Sequence, residues 1–149
     1  MTLSSHFTEC TGCEQGDAFY AGWAALRPAV LAALGKLDHT SIYIGGHDTG
    51  GALATLASYD LSTNHGKVLA RTYTFGSPRV GNRAFASAVN DLQLFRVTHH
   101  TDSVVHQPPR EKGYYHSGLE VRCRVPPAAT AVVAAAAAGA DAAPLSDAC

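Results

Sequence analysis

The feature that most constrains this chain is a run of glycines between two apolar segments. Residues 40–45 (TSIYIG) are rich in β-branched and aromatic side chains, which predicts a buried strand that stops at Gly46. Small and apolar residues then recur at helical spacing over residues 51–61, which predicts a closely packed helix. Residue 48 is therefore expected on a tight, strained turn between strand and helix, with its side chain exposed above the sheet.

Helical and strand patterns alternate along the rest of the sequence. Apolar spacing predicts an amphipathic helix over residues 16–37, in which Pro28 either kinks the helix or opens a new first turn. The later elements are a strand at 67–75, a helix at 82–90, a strand at 94–98, a loop at 101–113 and an edge strand at 114–125. This order predicts an α/β fold with a mostly parallel sheet flanked by helices.

The domain boundary is expected near the end of the last predicted strand. Residues 1–125 form one domain by length, whereas residues 126–149 are an alanine-rich, low-complexity tail. Alanine favours helix, but this tail contains almost no side chain large enough to anchor a helix to a core. A poorly packed tail is therefore predicted.

Charge and hydropathy exclude several classes of partner. The 11 basic and 12 acidic residues give a net charge of -1, and they form no basic patch for nucleic acid or an anionic membrane. No apolar run reaches transmembrane length, and residues 1–10 have neither the basic nor the apolar region of a signal peptide. Neither nucleic-acid binding nor stable membrane insertion is expected.

The four cysteines lie near the two ends of the chain, at Cys10, Cys13, Cys123 and Cys149. In an oxidising compartment they predict disulfides, with three possible connectivities. In a reducing compartment they stay thiols, or the Cys10-x-x-Cys13 pair supplies half of a zinc site. Zinc is the weaker interpretation, because Cys123 and Cys149 form no second close pair.

The glycine turn has the spacing of a nucleophile elbow. Gly46, residue 48 and Gly50 satisfy the pattern G-x-nucleophile-x-G, in which small flanking residues let strand and helix approach each other. The backbone N–H of Thr49 would then face the reacting oxygen as half of an oxyanion hole.

Three downstream segments closely resemble the class 3 (fungal) lipases and feruloyl esterases. They are YTFGSPRVGN at residues 73–82, FRVTH at 95–99 and YHSGLEV at 115–121, in the order and spacing of that family. The resemblance implies a partial α/β-hydrolase domain, truncated at both ends, from an extracellular ester hydrolase. It also implies a lipid or small-molecule ester substrate, of acylglycerol or feruloyl type, no metal or cofactor, and Asp102 at the position of the triad acid.

The residues that would perform this chemistry depart from the family pattern. The family has Gly-His-Ser-Leu-Gly-Gly where residues 46–51 are Gly-His-Asp-Thr-Gly-Gly, so Asp48 stands at the nucleophile position. A carboxylate that attacked an ester would form an anhydride, which is less stable than the ester. The resemblance places the catalytic histidine several tens of residues beyond the acid, past the end of this chain. The remaining histidines near the acid stand at positions where the family has no base: His99, His100, His106 and His116.

The sequence therefore predicts an ester hydrolase by descent, inactive or weakly active as written, and leaves alternatives open. Asp48 is either an inert carboxylate at a helix N-terminus, an alteration of a parental serine, or a nucleophile on epoxides or alkyl halides. A non-catalytic, lipid-binding pseudohydrolase is a further hypothesis. For Asp102 the alternative is a turn residue that hydrogen-bonds its own backbone. Core packing is expected for Phe19, Tyr20 and Trp23.

Overall fold

The structure is a computed structural model that describes residues 1–37 and 41–124. Helices and strands alternate from residue 15 to residue 99. In chain order the elements are β1 (Leu3–Ser4), β2 (Gln15–Gly16), α1 (Asp17–Leu34), β3 (Ile42–His47), α2 (Thr49–Thr63), β4 (Leu69–Phe75), α3 (Arg83–Asn90), β5 (Leu94–His99) and β6 (Leu119–Cys123). Two 3-10 turns, Val104–His106 and Arg110–Lys112, connect β5 to β6.

Four parallel strands form the main sheet, in the order β3-β4-β5-β6. The short β1 and β2 pair with each other in an antiparallel manner, which the sequence did not predict. The predicted α/β fold with a parallel sheet is confirmed. Because parallel strands end at the same sheet edge, the ends of β3 and β5 bring residues 48 and 102 to that edge.

The observed boundaries correct several predicted ones. Strand β3 continues through His47, and α2 begins at Thr49 and ends at Thr63, two residues beyond the predicted helix at each end. The largest difference is β6, which starts at Leu119 rather than at residue 114. Tyr114 is fully buried and donates a hydrogen bond to the Thr2 carbonyl (3.1 Å), so this segment contacts the residue before β1 and is not yet part of the strand. The predicted tail, 126–149, lies outside the described residues.

Helix α1 runs unbroken through Pro28, although proline removes one backbone donor from the helix. Phe19 and Trp23 on this helix are buried, as expected for core aromatics. The Trp23 indole donates to the Asp60 carboxylate on α2 (2.7 Å), and Arg27 lies 3.5 Å from the same oxygen. A buried carboxylate is stable only with such partners, so this network fixes α1 on α2.

The two faces of the main sheet differ in polarity. The face that the helices cover carries buried polar residues from β4 and β5: Thr72, Thr74, Arg96 and Thr98. The opposite face exposes large apolar side chains in the described part of the chain: Tyr43, Tyr73, Phe75, Leu119 and Val121. The hydroxyl of Ser58 on α2 bonds that of Thr72 (2.7 Å), which shows how the covered face compensates a buried polar group.

The cysteine alternatives are partly decided. Cys10 and Cys13 are joined by a disulfide, so they do not form half of a zinc site. Within residues 1–37 and 41–124, no group of three or more histidine, cysteine, aspartate or glutamate side chains could hold a metal ion. Over the same residues, no helix is both long and apolar enough to span a membrane.

Candidate active site

The turn between β3 and α2 has the strained backbone that the glycine spacing predicts. Asp48 adopts φ 53° and ψ -125°, a sparsely populated conformation for a residue with a side chain. Backbone hydrogen bonds hold the turn: the Asp48 N–H donates to Phe75 O on β4 (3.0 Å), and the Gly51 N–H donates to Asp48 O (2.8 Å). The prediction of a tight strand-to-helix turn at residue 48 is confirmed.

Close approach of strand and helix requires Gly46, but it does not require Gly50. A Cβ on Gly46 would lie 2.1 Å from Gly50 O, which no side chain can occupy without moving the backbone. A Cβ on Gly50 would meet nothing within 4 Å. The steric role assigned to Gly50 was therefore wrong, and Gly51 has that role instead, since its Cβ would lie 2.7 Å from Ser77 Cβ.

Asp48 is exposed on this turn. Asp48 is the N-cap residue of α2, yet its carboxylate accepts no capping hydrogen bond from the described residues. Among the described residues, no backbone N–H of the helix therefore binds this carboxylate as a cap. Thr49 is the first residue of α2, a position whose N–H has no acceptor within the helix, as an oxyanion donor requires.

The carboxylate of Asp102 has a different function for each of its two oxygens. Oδ1 accepts a hydrogen bond from Val104 N (2.9 Å), which is the local turn contact expected of an aspartate that opens a loop. Oδ2 points across the sheet edge to Gly76, where it lies 2.7 Å from the position of an added Cβ. Asp102 is thus both a turn residue and a carboxylate directed along the sheet edge towards β4 and β3.

Gly76 makes this arrangement possible. It follows β4 with φ 55°, and Asp102 Oδ2 occupies the space of its missing side chain, while His47 Nε2 lies at van der Waals distance, 3.7 Å, from the same point. His47 precedes Asp48 at the end of β3, so a histidine and the predicted triad acid converge one residue from the nucleophile position. The sequence did not single out His47 or Gly76, because their contact depends on three neighbouring strands.

Comparisons with known proteins agree with this geometry. A family model described as "Lipase (class 3)" matches residues 3–112. The chain belongs to the class 3 lipase family. The secreted mono- and diacylglycerol lipase A of Penicillium cyclopium is 34% identical over 116 residues, which cover 74% of this chain and 38% of that protein.

Solved lipase structures share the fold of this class 3 lipase chain. A lipase from Rhizopus microsporus var. chinensis has a TM-score of 0.71 and 32% identity, covering 82% of this chain and 45% of that one. The mono- and diacylglycerol lipase from Aspergillus oryzae has a TM-score of 0.74 and 28% identity, covering 84% and 48%. The chain thus spans less than half the length of these relatives.

Arg79 holds the loop of this lipase domain that carries Asp102. Its backbone N–H donates to Gln107 O (2.7 Å), and its Nη1 donates to the carbonyls of Pro108 (2.9 Å) and His106. Burial and the nearby Arg110 lower the pKa of the guanidinium below its ordinary value. Arg79 therefore connects the segment after β4 to the segment after β5, and it positions the loop without contact to Asp102.

The four histidines near the acid in sequence do not converge on the elbow. His99, His100, His106 and His116 all line a pocket of about 230 Å³ that includes neither Asp48 nor Asp102. His116 donates Nε2–H to Val105 O (2.7 Å), and burial followed by repulsion from Arg96 lowers its pKa to about 4. None of these four side chains therefore shares this pocket with residue 48.

An apolar groove begins beside the elbow. It has a volume of about 420 Å³ and runs between α1, β3 and the start of α2. Leu26 on α1, Ile44 on β3, and Gly50 and Leu53 on α2 contribute to its walls. Its size is within the range of small-molecule binding clefts, and Gly50 places one end two residues from Asp48.

Proposed function

We propose that this chain is part of an extracellular acylglycerol ester hydrolase whose elbow is preserved but whose own nucleophile chemistry is blocked at Asp48. The observation that carries the proposal is the elbow itself, where φ 53° and the Gly46 contact present residue 48 as an attacking group. Relatives named as secreted mono- and diacylglycerol lipases support both the substrate class and the compartment.

The chemistry follows from the groups at the sheet edge. An ester bound above the turn would direct its carbonyl oxygen to the Thr49 N–H, which stabilises negative charge as it develops. Attack by the Asp48 carboxylate would give an anhydride that is less stable than the ester, so acyl transfer gains nothing. Carbonyl polarisation and substrate binding remain, and such remnants of a disabled triad retain on the order of 10³ over the uncatalysed rate.

The experiment compares ester hydrolysis by the unmodified chain, Asp48→Ala and Asp48→Ser. Medium-chain monoacylglycerol and diacylglycerol are the main substrates, with a feruloyl ester as the second ester class. The unmodified chain and Asp48→Ala should be equally slow. Rapid turnover that Asp48→Ala abolishes would contradict the proposal and require an aspartate mechanism, which covalent trapping of Asp48 by an epoxide or alkyl halide would then identify.

The behaviour of Asp48→Ser tests whether a base is available at the elbow. We expect this variant to stay slow, because the four histidines near Asp102 line a pocket that does not include residue 48. If Asp48→Ser is fast, His47 is the candidate base, since it converges with Asp102 at Gly76. Adding His47→Gln to Asp48→Ser would then abolish the activity.

The apolar groove favours a second candidate function, binding of an acyl chain without turnover. Its walls are apolar and one end reaches Gly50, so an acyl chain in it would place its ester near the elbow. A fluorescent fatty acid should bind saturably to the unmodified chain. Leu26→Glu in the groove should weaken that binding, whereas Leu119→Glu on the opposite, exposed sheet face is the matched control. Equal losses in both variants would indicate non-specific adsorption.

A further inference from the structure

The pocket behind the Asp102 loop concentrates positive charge. We define the arginine pocket by Arg79, Arg96, His116, Glu120 and Arg122, which line its volume of about 230 Å³. The three guanidinium groups are permanently charged, and Glu120 is the one carboxylate among the described residues that line it. With neutral histidines the lining has an excess of positive charge.

Glu120 cannot neutralise this lining alone. Its Oε1 accepts a hydrogen bond from the Thr98 hydroxyl (2.8 Å) and lies 3.5 Å from Arg96 Nη1, a long contact for a charged pair. The Thr98 hydrogen bond is the largest cause of the lowered pKa of Glu120, ahead of its attraction to Arg96. Glu120 Oε1 therefore accepts a hydrogen bond from the Thr98 hydroxyl, and its ion pair with Arg96 is long.

Arg96 is the buried arginine of the pocket, and its long ion pair with Glu120 leaves part of its guanidinium without a hydrogen-bond acceptor. Its side chain comes from β5 on the helix-covered face, and the residue is only 7% exposed. The Nε atom has no hydrogen-bond partner among the described residues. Burial lowers the pKa of this guanidinium, attraction and hydrogen bonding to Glu120 offset part of that decrease, and repulsion from Arg79 adds a smaller decrease. Burying a charged donor without a full set of acceptors is costly, so the site favours an added acceptor.

The other two arginines add charge but use their hydrogen bonds on neutral groups. Arg79 donates to the carbonyls of His106 and Pro108, and Arg122 donates to His100 O (3.3 Å). Neither forms an ion pair within the described ranges, 1–37 and 41–124. Arg122 is exposed, so it lies where an ion from solution can reach it.

We propose that the arginine pocket binds a small oxyanion, a phosphate or carboxylate group, between Arg96 and Arg122. Planar guanidinium groups recognise such oxygens in pairs, and the pocket is smaller than the clefts that hold drug-sized ligands. The site is separate from the elbow, because neither Asp48 nor Asp102 lines it. The proposal therefore does not depend on ester hydrolysis.

The test is a titration of the full chain followed by the arginine Nε–H resonances in NMR spectra. Inorganic phosphate and acetate are the two probes, each added against sodium chloride at constant ionic strength and at neutral pH. Saturable shifts of the Arg96 Nε–H resonance by either probe support the proposal, and the stronger probe identifies a phosphate or a carboxylate as the preferred group. No saturable shift with either probe would overturn it.

Matched variants distinguish a site from general charge attraction. Arg122→Gln removes an exposed donor of the pocket and should weaken binding about tenfold, the loss expected for one charged hydrogen bond. Arg71→Gln makes the same charge change at an exposed residue of β4 outside the pocket, and its binding should be unchanged. Equal weakening by both variants would show non-specific screening and contradict the proposal.

A variant at the buried arginine tests the geometry. Arg96→Lys keeps the charge but loses the planar pair of donors, so the folded variant should lose most of its affinity. Full affinity in folded Arg96→Lys would contradict the assignment of Arg96 as the anion ligand. If this variant does not fold, the comparison of Arg122→Gln with Arg71→Gln still decides the question.

Discussion

The elbow at residue 48 and the loop at Asp102 lie at the same sheet edge but depend on their side chains in opposite ways. At the elbow, backbone contacts and Gly46 fix the turn, while the Asp48 side chain projects into solvent. In the loop, the Asp102 side chain itself makes the turn contact to Val104 and fills the space above Gly76. The fold can therefore lose the nucleophile side chain at little cost, whereas the acid is part of its structure.

The largest expected effect comes from Gly46→Ala, which tests the backbone origin of the elbow. The new Cβ would lie 2.1 Å from Gly50 O, so we expect a loss of at least about 3 kcal/mol in the free energy of unfolding. Urea denaturation measures it. Gly50→Ala is the control, because its Cβ meets nothing within 4 Å and alanine favours helix, so a change between zero and about 1 kcal/mol of stabilisation is expected. Equal losses in both variants would contradict this account.

A smaller effect is expected where Gly76 and Asp102 share one space. Gly76→Ala combines a φ of 55° with a carboxylate oxygen 2.7 Å from the new Cβ, and we expect a loss of about 2 kcal/mol. Asp102→Ala removes the Val104 contact and should cost about 1 kcal/mol. The double variant should lose less than the sum of the single losses, because the carboxylate no longer collides. If the loss of unfolding free energy in the double variant equals the sum of the two single losses, Gly76 and Asp102 do not compete for this space.

The stability of the chain should also depend on pH through His116, whose Nε2–H donates a hydrogen bond to Val105 O. Its pKa is about 4 in the folded chain, against an ordinary value of 6.5, so the unfolded chain binds a proton first as pH falls. Stability should be constant above about pH 6.5 and should decrease as the pH falls from 6.5 towards 4. Asp17, whose pKa is lowered from 3.8 to about 2 chiefly by the Thr2 hydroxyl, contributes below that window. Chemical denaturation of His116→Gln should show a smaller pH dependence, and an unchanged dependence would exclude His116 as the cause.

The smallest effect is expected at residue 48. Asp48→Ala removes an exposed carboxylate that accepts no capping hydrogen bond from the described residues, so the change in stability should stay within about 0.5 kcal/mol. Denaturation of this variant beside Asp102→Ala compares the two aspartates directly. A larger loss of stability for Asp48→Ala than for Asp102→Ala would contradict the conclusion that the fold depends on the Asp102 side chain and not on that of Asp48.

The sequence predicted those parts of the structure whose causes are local. The glycine spacing predicted the elbow, because a strand and a helix in immediate succession leave few conformations for the turn. It did not predict that His47, Gly76 and Asp102 converge, since that contact depends on the register of three strands. The steric role given to Gly50 was wrong for a related reason: which glycine touches a neighbour is decided by Ser77, far along the chain.

The local sequence pattern also did not predict which polar residues lie on the helix-covered face of the sheet. Arg96 and Thr98 lie in a segment that predicts a strand, but alternation does not show which face the helices cover. Their contacts with Glu120 require the parallel pairing of β5 with β6, whose start the sequence placed five residues too early. Prediction therefore succeeded for the elbow and did not extend to the arginine pocket.

We propose that the elbow backbone is ready for acyl transfer, and that the Asp48 side chain and the lack of a positioned base among the described residues prevent it. The most direct measurement is mass spectrometry of the intact chain after incubation with a nitrophenyl ester, with imidazole added as an external base. We expect an acyl adduct on residue 48 of Asp48→Ser, and none at that position in the unmodified chain or in Asp48→Ala. An ester-derived adduct on Asp48 itself, or no adduct on a folded Asp48→Ser variant, would contradict it.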